Sequence, residues 1–191
     1  MSRFTKNAIR GALLDLLAKN SMDDITVRMV CEKAGVSRQT LYNHYYCLMD
    51  VVDDLFRQEL AEDLTGNDSY REWVGGFRQI LTYFRRRKTV YGHVYHSSYR
   101  REMMRMIERT GHRLIVEGIE QCAADSGADV SEGDKAFMAD YYCDVFMGII
   151  GRYFKGGLEE DPTFIAERCA VMMDHPIERV LCRLTRSGGK G

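Results

Sequence analysis

Two prolines, Pro162 and Pro176, are all that this sequence of 191 residues contains. Proline removes an amide donor and clashes with the preceding helical turn, so most of the chain is free to run in long helices. No stretch of roughly 18 consecutive apolar residues occurs, so no membrane-spanning helix is expected. The opening MSRFTKNAIRG lacks the apolar run of a secretory signal, which points to a cytoplasmic protein. The six cysteines, at 31, 47, 122, 143, 169 and 182, form no Cys-x-x-Cys pair. Most stand among apolar residues and read as reduced core thiols.

Catalytic signatures are missing too. There is no Gly-x-Ser-x-Gly, no phosphate-binding Gly-rich loop and no dinucleotide fingerprint. His93 and His96 stand three apart and could share a helix face near a metal. No His-Glu-x-x-His pattern or ordered carboxylate set completes such a site. No enzyme, metal or cofactor is therefore expected. An excess of charge is also absent: 27 Lys+Arg face 28 Asp+Glu, a net −1. The distribution says more than the total. Residues 1–46 hold seven Lys/Arg and four Asp/Glu, a local +3, enough for a phosphate-facing surface on a small head.

What is present is helical periodicity. Ile9, Ala12, Leu13, Leu16 and Leu17 recur at helical spacing, with Thr5 as a candidate cap and an end near Lys19. Thr26 can cap a short helix to Ala34, Gly35 breaks it, and Ser37 can cap another from Arg38 to about His44. A fourth begins near Cys47. Polar residues Thr65–Ser69, with Gly66, read as a joint. Further apolar series run through Trp73–Phe84, Met103–Ile119, Phe137–Tyr153 and Phe164–Met173. Ser131 with Asp134 makes a capping-box signature, Gly156-Gly157 ends a helix, and Asp161-Pro162 starts one. A break is expected around Asp174 and Pro176, and the tail from Ser187 reads as frayed. The fold class is all-α, with about nine helices.

The sharpest signal is TVRMVCEKAGVSRQTLYNHYY, residues 26–46. Helix, tight turn at Gly35-Val36 and second helix make a helix-turn-helix. Val27, Val30 and Cys31 face inward to meet Val36, Leu41 and Tyr45. Arg38, Gln39, Thr40, Asn43 and His44 face outward, with Tyr42 beside them. Arg, Gln and Asn can pair bidentately with base edges, and hydroxyls and helix-start amides can hold phosphates. The same polar row would also serve as plain solvent surface.

In this stretch the sequence resembles the TetR family of transcriptional regulators. The resemblance rests on Thr26, Ala34-Gly35-Val36-Ser37, Leu41-Tyr42 and Asn43-His44-Tyr45, and covers roughly residues 5–60. It implies a head over 1–47 that binds DNA and a body over 48–186 that binds an effector and dimerises. Thr26 and Ser37 would be cap and phosphate positions. Arg28, Arg38, Gln39, Thr40, Tyr42, Asn43 and His44 would complete the DNA-facing set. The basic residue that usually follows the His-aromatic pair is missing, since the chain reads Tyr46-Cys47-Leu48-Met49-Asp50. The body resembles the subgroup that includes dihydroxyacetone-kinase operon activators. That resemblance rests on Tyr83-Phe84, Tyr91, Gly148-Ile149-Ile150, Tyr153-Phe154 and Gly156-Gly157.

The expected function is thus a sequence-specific DNA-binding transcriptional regulator, a ligand-responsive repressor, acting as a homodimer on a palindromic double-stranded operator. The helices near 132–155 and 162–184 would form the dimer seam, with Gly148 and Gly151 allowing close approach. An effector pocket is expected among Trp73, Phe77, Tyr91, Tyr95, Tyr99, Met103 and Ile107, for a small molecule whose identity the sequence does not give. The segment 89–98 reads as too polar for dense packing. The alternative reading keeps the fold and replaces operator binding by a protein partner.

Overall fold

The computed structural model describes residues 2–64, 73–172 and 177–187. The expected joint at Thr65–Ser69, the break at Asp174 and Pro176, and the tail beyond Ser187 lie outside them. Among the described residues the fold is all-helical, with ten α-helices and one turn of 3-10 helix. In chain order these are α1 (Ser2–Leu17), the 3-10 turn (Met22–Asp24), α2 (Val27–Ala34), α3 (Arg38–Tyr42) and α4 (Leu48–Leu64). They continue with α5 (Trp73–Arg86), α6 (Lys88–Tyr95), α7 (Arg100–Ser126), α8 (Glu132–Lys155), α9 (Pro162–Met172) and α10 (Ile177–Ser187).

Two compact units are distinguished. The first combines Met1–Asp63 with Phe84–Met106, and the second combines Leu64–Tyr83 with Ile107–Gly191. In the first, α1 starts at Ser2, so Thr5 lies inside the helix rather than at its cap. Ile9, Leu13 and Leu17, four apart on α1, are fully buried. They share this core with Met22, Val30, Leu41, Val51 and Val52. An aromatic group continues it: Phe56 stacks on Phe84 at 5.6 Å, and Tyr91 meets Phe84 edge-on at 5.2 Å. The stretch expected to resist dense packing is instead the helix α6, with Val90, Tyr91, Val94 and Tyr95 all buried. Its polar groups are accommodated at the margins. His93 Nδ1 lies 2.6 Å from the Leu17 carbonyl, and Ser98 donates from both its amide and its hydroxyl to Asp23.

The second unit is built on α8. Met138 and Ala139 pack with Ile119, Cys122 and Ala123 of α7, with Val130, and with Leu181 of α10. Ser131 caps α8 by accepting from the Asp134 amide, and its hydroxyl donates back to the Asp134 carboxylate at 2.7 Å. After α7 the chain turns at Gly127, whose φ of 64° suits glycine. Asp161 accepts from the Thr163 amide at the start of α9, and Pro162 occupies the first helical position, which has no intrahelical partner to lose.

Candidate nucleic-acid interface

A helix of five residues is far below the length at which isolated helices persist, roughly 12–15 residues. The short helix α3 therefore depends on what fixes its ends and its inner side. Ser37 does the first: its hydroxyl accepts from the Thr40 amide at 3.0 Å and lies 2.9 Å from the Thr40 hydroxyl. Leu41, with no exposed surface, does the second. The preceding helix α2 is held in the same way. Thr26 accepts from the Met29 amide, and Gly35, at φ 66°, donates to the last carbonyls of α2. A side chain at Gly35 would meet no steric obstacle, so the backbone angle alone demands glycine there.

With Leu41 turned inward, the opposite side of α3 faces solvent. Arg38, Gln39, Tyr42 and Asn43 are exposed, and Thr40 and His44 are half-buried. Gln39 and Asn43 are one turn apart, and the Gln39 amide donates to the Asn43 carbonyl oxygen at 3.1 Å. That bond uses one Gln39 N–H and the Asn43 side-chain oxygen, and leaves the Gln39 oxygen as an acceptor and both Asn43 N–H groups as donors. Thr26 and Arg28 are exposed on α2. Arg28 is paired with Glu32 at 2.6 Å, and that carboxylate raises its pKa further. The structure thus brings all nine expected head residues into one motif.

The sequence reading turned Tyr45 inward without giving its hydroxyl a partner, and it passed over Asp54; both belong here. Tyr45 is buried, and its hydroxyl donates to Asp54 Oδ2 of α4 at 2.6 Å. Arg10 of α1 donates to the same oxygen at 2.7 Å, and Lys6 stands 3.6 Å away. Burial, and then the bond to a carboxylate, push the Tyr45 phenol well above its ordinary pKa. Burial alone would raise Asp54, but the Tyr45 hydrogen bond and the Lys6 and Arg10 cations outweigh it and hold the carboxyl below the usual range. The tyrosine hydroxyl within reach of acidic positions on α4 was the available signal.

Asp50 is an acidic group a few residues beyond the point where the basic residue is missing. Its carboxylate accepts from the amides of both Tyr46 and Cys47 at the start of α4. The Tyr46 side chain beside it is 91% exposed.

The expected effector residues divide between the two units. Tyr91, Tyr95, Tyr99 and Met103 belong to the first, and Trp73, Phe77 and Ile107 to the second. In the first, Tyr91 is fully buried between Phe84 and Phe56, as a core residue is. Met103 has no exposed surface, whereas Tyr99 is exposed. Tyr95 is buried under the Arg100 guanidinium, which also donates to its hydroxyl. In the second, Phe77 lies 4.6 Å and Trp73 5.7 Å from Phe146 of α8, with Tyr142 at 6.5 Å. The structure gathers Trp73 and Phe77 around Phe146, a ring of the apolar series Phe137–Tyr153 that the sequence reading did not place in the pocket.

Residues 71–175 match the family model for a TetR-type transcriptional regulator C-terminal region, just over half of the chain. The chain belongs to the TetR family of transcriptional regulators. It is 26% identical over 94 residues to the HTH-type dhaKLM operon transcriptional activator DhaS of Lactococcus lactis subsp. lactis (strain IL1403), covering 49% of this chain and 50% of that protein. It is 32% identical over 94 residues to the tetracycline repressor protein class A from transposon 1721 of Escherichia coli, covering 44% of each. The chain spans about half the length of the curated relatives it matches. Among solved structures, the dihydroxyacetone kinase operon activator DhaS superposes with a TM-score of 0.63 at 19% identity, over 95% of this chain and 96% of that one. At that identity the likeness speaks for the shared fold. These relatives are transcription regulators rather than enzymes, and among the described residues no helix is long and apolar enough to cross a membrane.

Proposed function

We propose that this TetR-family regulator binds a palindromic double-stranded operator as a homodimer, through α3, and releases or grips it in response to a small molecule. One observation carries the reading: a capped, five-residue helix presents Arg38, Gln39, Tyr42 and Asn43 to solvent over a fully buried Leu41. In this reading Gln39 and Asn43 read base edges. Thr26, Ser37, Thr40 and the cations Arg28 and Arg38 hold phosphates, and Tyr42 and His44 flank them.

The dimer is supported by the outer side of the second unit. Phe137 and Tyr141 of α8 and Phe164, Val171 and Met172 of α9 are exposed, at the i, i+4 and i, i+7, i+8 spacings of one helix face each. A monomer seldom leaves so much apolar side chain in water. Gly148 continues the α8 row, and a side chain added there would meet nothing in this chain, which suits close approach by a second copy. The effector site is assigned to the aromatic group of Trp73, Phe77, Tyr142 and Phe146. Tyr91 and Met103 are core. The test is retention of the chain on duplex DNA across a salt series: phosphate contacts give a retention that falls steeply with salt. Retention that is absent at low salt would overturn the reading.

A specific observation favours a second reading, a co-regulator that acts through a protein partner. The Asp50 carboxylate occupies the two amides at the start of α4 and puts negative charge next to the expected DNA face. Tyr46, almost fully exposed beside it, would then be a contact for that partner. Loss of partner capture with Tyr46→Ala, in a chain that ignores DNA, would select this reading.

A further inference from the structure

We propose that Asp54 is a positioning residue for DNA recognition, locking the exit of α3, the start of the chain and α4 into one rigid piece. The inference rests on the DNA-binding reading of α3.

The geometry is specific. One carboxylate oxygen, Asp54 Oδ2, is shared by the Tyr45 hydroxyl at 2.6 Å, Arg10 at 2.7 Å and Lys6 at 3.6 Å. These groups come from three places in the chain: α1, the turn after α3, and α4. The remaining attachments are as direct. The Tyr45 amide donates to the Leu41 carbonyl at 2.9 Å, so the Tyr45 backbone is bound to the last turn of α3. Arg10 is oriented by a second bond, to Asn7 one turn earlier on α1. Lys6 also lies over the Tyr45 ring, 5.2 Å from its centre. The Asp54 side chain is about one-fifth exposed and that of Arg10 about one-tenth, so water competes poorly for these bonds.

The consequence follows from what α3 cannot do alone. Five residues with one buried leucine do not fix their own direction, and a base-reading helix misdirected by an ångström loses its bidentate pairs. The Ser37 cap fixes only the entrance of α3. Its exit is fixed by Tyr45, and the hydroxyl of Tyr45 is fixed by Asp54. Any rotation of α4 about its axis would therefore either drag the exit of α3 with it or break a charge-assisted bond. Asp54 touches no base or phosphate in this scheme and acts through Tyr45.

The experiment uses the full chain and two duplexes: the best binder selected by the wild-type chain from a randomised library, and a scrambled sequence of the same composition. Three variants are compared, Tyr45→Phe, Asp54→Asn and the double variant, all near-isosteric. Each single change is expected to weaken the selected duplex by about tenfold, and the double change should cost little more than the worse single one, because the two residues act as a unit. The scrambled duplex should change far less, even where the lost carboxylate lowers the melting temperature. Variants that bind like the wild type would overturn the proposal, and so would losses that simply add. Equal losses on both duplexes, in step with the melting temperature, would also overturn it by reducing Asp54 to a stabilising residue. A wild-type chain that retains no duplex would instead bring down the DNA-binding reading, and the proposal with it.

Discussion

Ser37 offers a clean separation of folding from recognition. Its hydroxyl accepts from the Thr40 amide and caps a helix too short to stand alone. Replacing it with alanine should cost about 1 kcal/mol, within the usual 0.5–2 for a lost N-cap. For a chain of this size that is a fall of about 2–4 °C in melting temperature, if the protein unfolds in one step. Replacing it with aspartate should restore the cap, because a carboxylate accepts from the same amide and suits the positive end of a helix. Thermal stability should then match the wild type to within about 0.5 kcal/mol. DNA affinity should behave in the opposite way. In the proposed complex the Ser37 hydroxyl and the first amides of α3 point at a phosphate. A carboxylate there repels it, and desolvation against the duplex leaves little room for water to screen the two charges. Aspartate should thus be worse for binding than alanine while being better for folding, with losses of similar size on cognate and scrambled DNA. Calorimetric melting and fluorescence anisotropy on both duplexes would measure the two effects. Binding by Ser37→Asp as tight as that of the wild type would show that this end of α3 faces no phosphate, and the assignment of Ser37 would fail.

Other predictions come from the same geometry. Gln39→Ala or Asn43→Ala should cost about 1–3 kcal/mol at particular base pairs and little on scrambled DNA, checked by binding to a set of single-base operator variants. Phe137→Asp with Phe164→Asp should leave a folded monomer in sedimentation, because each removes an exposed aromatic from the proposed seam. Wild-type sedimentation as a monomer at micromolar concentration would refute the seam itself. Asp54, whose folded pKa lies below its ordinary value of 3.8, contributes stability that is present above that value and is lost as the pH falls through the lower, folded one. Asp54→Asn should therefore be less stable than the wild type near neutrality, and the gap should close in denaturant titrations as the pH falls through the lowered, folded value. Phe146→Ala should abolish any thermal shift that a metabolite panel produces in the wild type, if the aromatic group of the second unit is the effector site.

The head was legible because its local chemistry is self-announcing. Thr26, Gly35 and Ser37 are each the residue type their backbone position demands, and the structure puts each in that position. The apolar spacing of α1 likewise announced a buried stripe. Its start was misjudged because Thr5 looked like a cap, whereas the helix carries on back to Ser2. What pattern reading missed depends on long-range partners. The histidines and serines of 89–98 looked wrong for a packed helix. Yet His93 meets a carbonyl of α1, and Ser98 meets Asp23, each some 75 residues away in sequence. Likewise the pattern turned Tyr45 inward near acidic positions of α4, but it did not single out Asp54 among them as the partner of its hydroxyl.

The two units expose different chemistry, which would let one chain serve the two proposed contacts without confusing them. On the first unit the residues left in water around α3 are amides, hydroxyls and a guanidinium, groups whose partners are polar and whose attraction to DNA fades with salt. On the second, α8 and α9 expose a row of rings and aliphatic chains among charged residues such as Asp140, Asp144, Glu167 and Arg168, and the association of that apolar row rises with its area and depends little on salt. Raising the ionic strength should therefore strip the protein from DNA while leaving the dimer intact. An operator complex held by two heads would then be lost in one concerted step rather than through a free monomer. The opposite order, dissociation of subunits before release of DNA, would mean that the charged neighbours Asp140, Asp144, Glu167 and Arg168, rather than the exposed Phe137, Tyr141, Phe164, Val171 and Met172, hold the proposed seam.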